Sequence, residues 1–111
     1  MNELPILTTP VVENASIVEY YGLVTSRNVR AMNIFKDFMT SFRDVFGGRS
    51  GSYQDIMDEM ESEVLAEIRE KAVALGGNAV IGFHLDFESV GSKDRSLVMA
   101  HGRGTAVYLQ P

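Results

Sequence analysis

A chain of 111 residues with 45% hydrophobic content has enough apolar material for one compact domain, and too much for disorder. Ten Lys and Arg against fifteen Asp and Glu leave a net charge of −5, which argues against a protein that follows nucleic-acid phosphates with a basic stripe. Cysteine is absent, so disulfides, thiolate metal sites and cysteine nucleophiles drop out.

Residues 1–16 are polar and carry Pro5, Pro10 and Asn14, the composition of an extended arm with at most a short strand near residues 6–9. They lack the basic and apolar regions of a secretion signal, and no later run approaches the length of a membrane span. A cytoplasmic protein is the expectation. Residues 17–25 are rich in β-branched and aromatic side chains and read as a first strand, with a bulge or close approach at Gly22.

Ser26 is placed to cap a helix, because Val29, Met32, Phe35, Phe38, Met39, Phe42 and Phe46 recur every three or four residues. Gly47-Gly48 ends it. Ser52 with Asp55 resembles a capping box for a second helix, whose apolar face is Tyr53, Ile56, Met57, Met60, Val64, Ile68, Ala72 and Leu75. The other face carries Glu59, Glu63, Glu67, Arg69 and Lys71, and Gly76-Gly77 closes the helix. The first helical half is locally basic through Arg27, Arg30, Lys36, Arg43 and Arg49, and residues 55–70 are acidic. Solvated surface or complementary subunit faces account for this.

Residues 79–90 alternate, with Ala79, Ile81, Phe83, Leu85 and Phe87 on one face and Val80, Gly82, His84, Asp86, Glu88 and Val90 on the other. Residues 91–96 suit a hairpin loop and residues 97–109 the returning strand. The order β-α-α-β-β makes an α+β domain of one unit, residues 1–111, with an antiparallel sheet packed on helices.

The candidate site lies on that hairpin. In the last strand Val98, Ala100, Gly102, Gly104 and Ala106 are small and apolar, fit to lie under a helix. That turns His101 and Arg103 to the opposite face, with His84, Asp86 and Glu88. A register of Val90 opposite Leu97 sets His101 across from Asp86 and Arg103 across from His84. Imidazole and carboxylate suit a divalent metal ion, yet same-face neighbours on a strand stand roughly 6.7 Å apart, against ligand bonds of about 2.0–2.2 Å. The workable metal set is Asp86 and His101 with His84 or a group from another subunit, and Arg103 opposes a second cation there. The competing reading is a cross-strand network of ion pairs. Apolar neighbours, among them Leu97, Met99 and Val80, suggest that a second subunit covers this face.

A second candidate is the loop Gly48, Arg49, Ser50 and Gly51 before the second helix, where free backbone N–H groups favour a small anion. It has no P-loop spacing and no strand before it, and a helix–helix corner is the favoured explanation. No nucleophile–base pair or paired carboxylates can be placed, so an enzyme is not expected.

Several words in order, Ile17-Val18-Glu19-Tyr20, Gly22-Leu23-Val24-Thr25, Asn33-Ile34-Phe35-Lys36, the loop of residues 47–53 and Ala74-Leu75-Gly76-Gly77-Asn78-Ala79-Val80-Ile81-Gly82, resemble the YbjQ-like family of small bacterial proteins of unassigned function. The resemblance covers nearly the whole chain. It implies a dodecin-like β-α-β-β subunit, here with an additional helix, assembled into a homopentameric ring, and a family described as heavy-metal binding. Histidines at 84 and 101 depart from the family pattern, so a site built on them would belong to this member. The expectation is a non-catalytic homo-oligomer that binds a divalent metal ion. The alternatives are an adaptor ring for a protein partner and anion binding at the glycine-rich loop.

Overall fold

Two β-rich stretches flank one long helical run, and the fold follows from closing them over it. A computed structural model describes residues 3–33, 51–91 and 95–111. Strand β1 (Ser16–Asn33) leads to helix α1 (Gly51–Leu75), followed by strands β2 (Ala79–Gly91) and β3 (Arg95–Gln110). The sheet is antiparallel, in the order β1-β3-β2, and α1 lies across one face.

Helix α1 buries Met60, Val64, Ile68 and Ala72 completely, each four residues after the last. They meet Val24, Val80, Phe83, Val98, Ala100 and Ala106 from the sheet. The helix ends as its glycines predict. Gly76 takes φ +98°, its N–H donates to the Val73 carbonyl, and the Gly77 N–H donates to the Ala72 carbonyl, so the last carbonyls are satisfied.

The first strand does not stop at residue 25. Residues 26–33, expected to begin a helix, continue β1 and pair with β3 down to Asn33 opposite Arg95. Val29 and Met32 are a single helical turn of apolar spacing, whereas Ser26, Asn28 and Arg30 alternate toward the acidic side of α1. The Asn28 amide donates to Glu63, and Arg30 Nη2 donates to Glu59 at 3.1 Å and to Glu63 at 2.8 Å. Cross-chain pairing and these contacts override a weak local period. The rest of the expected helix, through Phe46, lies outside the described residues.

Strand β2 alternates as expected but changes phase. A bulge between Ile81 and His84, with Gly82 at φ +61°, puts Val80 on the helix side together with Phe83, Leu85 and Phe87. Ala79 and Ile81 turn instead to the opposite face, in a small core with Val107, Val12, Ile17 and Leu109. The arm fastens this end. Residues 5–9 run parallel to β2, with Val80 N–H on the Pro5 carbonyl, Leu7 N–H on Val80, Phe83 N–H on Leu7 and Gly82 N–H on Thr9. The outer edge of β1 has no strand beside it among the described residues.

Candidate functional site

The sheet face away from α1 is where the sequence placed its polar cluster, and the register decides what meets what. Val90 pairs with Leu97, Asp86 with His101 and His84 with Arg103, the expected pairing. Because β3 is the central strand, each pair extends to β1. One row is Arg27–His101–Asp86, the next is Thr25–Arg103–His84, and beyond them lies Val29–Met99–Glu88. Directly opposed side chains stand about 4.5–5.5 Å apart at Cβ, and diagonal ones about 7–8 Å. Arg27 lies outside the expected site because the apolar spacing after residue 25 reads as a helix, although residues 26–30 also alternate, and Thr25 because the sequence does not say which strand pairs with the first one.

Arg103 Nη1 donates to Asp86 Oδ2 at 3.2 Å, a diagonal ion pair between half-exposed side chains and so a weak one, about 0–1 kcal/mol. His101 is half-buried, and its Nε2 is shut off from solvent with no hydrogen-bond partner. Arg27 is exposed and makes no ion pair among the described residues. Leu23, Val29 and Leu97 surround these rows at 69%, 57% and 49% exposure, and no described element covers them.

The metal set was tested on this geometry. Among the described residues no three His, Asp or Glu side chains come close enough to hold one ion. Asp86 and His101 face each other, but His84 is one row away and the Asp86 carboxylate is engaged by a guanidinium. Among the described residues of one copy, His84, Asp86 and His101 are therefore not gathered around a single ion. Of the anion-binding loop, Gly48, Arg49 and Ser50 lie outside the described residues, and Gly51 is the first residue of α1.

The acidic side of α1 is a structural seam. Glu59 and Glu63 hold Arg30, while Glu67 accepts from the buried Ser26 hydroxyl and lies 3.4 Å from Lys71. The Ser26 hydrogen bond first, and the Lys71 charge second, hold the Glu67 carboxyl below its ordinary value. Lys71 Nζ also donates to the Thr25 carbonyl at 2.7 Å, on β1.

Among the described residues these features define a small α+β protein, one helix on a three-stranded antiparallel sheet, with His84, Asp86, His101 and Arg103 on the sheet face away from α1. No helix among the described residues is long and apolar enough to cross a membrane. A family model described as "Putative heavy-metal-binding" matches residues 4–110, and the chain belongs to that family, YbjQ. The fold is similar to the crystal structure of a protein with unknown function of the DUF74 family from Pediococcus pentosaceus. The TM-score is 0.68 at 17% identity, with 95% of this chain and 96% of that chain covered.

Proposed function

We propose that the protein is a non-catalytic, homo-oligomeric binding protein, a ring of five as the family resemblance implies, with its ligand site on the sheet face away from α1. The observation that carries this reading is the exposed set Leu23, Val29 and Leu97 around the Arg27–His101–Asp86 row, since apolar side chains grouped on one sheet face mark a contact surface. Two further features support it. Among the described residues no strand pairs with the outer edge of β1, and a shallow groove of about 350 Å³ beside it is lined by Leu23, Val24, Thr25, Lys71, Ala74 and Leu75. The molecule measures 51 × 27 × 23 Å with a radius of gyration of 17.5 Å, against about 13 Å for a compact domain of this length.

The family description supports a second reading, a divalent ion held between copies. Asp86 and His101 supply two donors, and the third must come from a neighbouring copy. Native mass spectrometry of the tag-free protein, before and after stoichiometric zinc, nickel and copper, tests both readings. A five-subunit mass is expected. Whole-number metal increments that vanish in Asp86→Ala and His101→Ala would establish the shared ion, and a metal-free pentamer would remove it. A monomer at every concentration would refute the assembly.

A further inference from the structure

The geometry points to an oxyanion site on the same sheet face, formed by Thr25, Arg27, His101 and Arg103. This inference deepens the binding-protein reading and rests on it for the location of the site. Its class of ligand is a phosphate or carboxylate group.

Charge is the first argument. Arg27 and Arg103 are diagonal neighbours on β1 and β3, about 7–8 Å apart at Cβ, close enough for two long guanidiniums to meet over His101. Among the described residues the carboxylate in the neighbouring row position is Asp86, on β2, and its ion pair is with Arg103. Glu88 lies one row further along β2, about 6.7 Å beyond Asp86, and separated from Arg27 by the width of β3. Among the described residues two guanidiniums thus face one carboxylate, and the excess positive charge sits on the β1 side. Like charges this close repel unless an anion joins them.

Hydrogen-bonding capacity is the second argument. Arg103 uses one of its five N–H groups on Asp86, and Arg27 uses none on an acidic partner among the described residues. A guanidinium fork matches the two oxygens of a carboxylate or phosphate. His101 Nε2, shielded from solvent and unpartnered, lies in the row between them. An oxygen seated between the two arginines would supply the partner it lacks once the side chains that shield Nε2 part, and the Thr25 side chain, opposite Arg103, can add a hydroxyl donor. A cation at the same place would face both guanidiniums, so the residues that oppose a metal ion in one copy favour an anion.

Asp86 makes the two ligand classes separable. It is a ligand in the metal reading and a competitor in this one. The test is calorimetric titration of inorganic phosphate into the full chain, with chloride holding ionic strength constant and native mass recorded on the same samples. We expect saturable binding of one phosphate per chain, at least tenfold weaker in Arg27→Gln and in Arg103→Gln. Asp86→Asn, which frees Arg103 and removes a negative charge, should bind several-fold more tightly. Arg27→Lys keeps the charge without the fork and should fall between wild type and Arg27→Gln, which separates lost recognition from lost folding. If the occupant is instead a carboxylate of a neighbouring copy, added phosphate will lower the oligomeric mass, and Arg27→Gln will assemble poorly. That result also supports the site. No saturable phosphate effect on heat or mass, equal binding in all variants, or weaker binding in Asp86→Asn would overturn it. An intact oligomer without phosphate binding would refute this inference alone, and a phosphate-binding monomer would refute the assembly alone.

Discussion

Helix α1 presses closely on the sheet at Gly102, and adding one methyl group there should measure how tightly the core is packed. A Cβ at Gly102 would lie 2.6 Å from Val64 Cγ1 and 3.0 Å from Phe83 Cε1 and Cζ. Favourable carbon contacts are about 3.5–4.0 Å, so Gly102→Ala requires roughly 1 Å of movement by side chains at the centre of the interface. Val64 is fully buried and β-branched, and cannot swing aside. Overpacking of this kind costs about 1–3 kcal/mol, offset by about 0.5–1 kcal/mol from the reduced freedom of the unfolded chain. The net loss of about 1–2 kcal/mol should lower Tm by several degrees, at about 4 °C or more per kcal/mol. Thermal unfolding followed by circular dichroism, at one fixed protein concentration because assembly shifts the apparent stability, reads it directly. Val64→Ala removes the clashing methyl groups and leaves a cavity, itself a loss of about 1–3 kcal/mol. In the double variant the new methyl fills that space, so the two losses should fall short of additive by about 1 kcal/mol or more. A Gly102→Ala protein as stable as wild type, or strict additivity in the cycle, would refute the packing argument.

Two more outcomes follow from the seams of the fold. Glu67, held below its usual 4.5 by Ser26 and Lys71, contributes stability that is full above that value and disappears as pH falls through the lower folded-state value. Ser26→Ala should therefore lower the urea midpoint at neutral pH and make its decline shallower between about pH 5 and pH 3. The Asn78 side chain bridges Leu109 twice, Nδ2 donating to its carbonyl at 2.9 Å and Oδ1 accepting from its N–H at 2.7 Å. Asn78→Ala should cost about 1–2 kcal/mol and expose the Leu109 amide to hydrogen exchange, whereas unchanged protection there would show that the bridge is dispensable.

Local pattern revealed most where one period ran long enough to be unambiguous. The spacing of Met60, Val64, Ile68 and Ala72 specified both α1 and its buried face, and the small residues from Val98 to Ala106 specified which side of β3 lies under it. The pairing of His101 with Asp86 followed from the loop and that face assignment. The phase change in β2 was hidden because Gly82 satisfies an unbroken alternation, and only its left-handed φ moves Val80 to the other side. Arg27 was hidden for a different reason: a strand end and a helix cap share Ser26, and one apolar turn is too short to decide between them; Thr25, already in the strand, was hidden because no local pattern says that β1 pairs with β3.

Sequence alone determined the class of the domain, the long helix and its glycine stop, the polar set on the final hairpin and the family. Each rests on near neighbours in the chain, where spacing maps directly onto a face. Tertiary structure decided the length of β1, the phase of β2 and the third column of the polar rows. The length of β1 and the third column depend on partners distant in the chain, as Arg27 to His101 shows. Backbone pairing with β3 and the contacts of Asn28 and Arg30 with the acidic side of α1 set them, and neither is encoded in a local period.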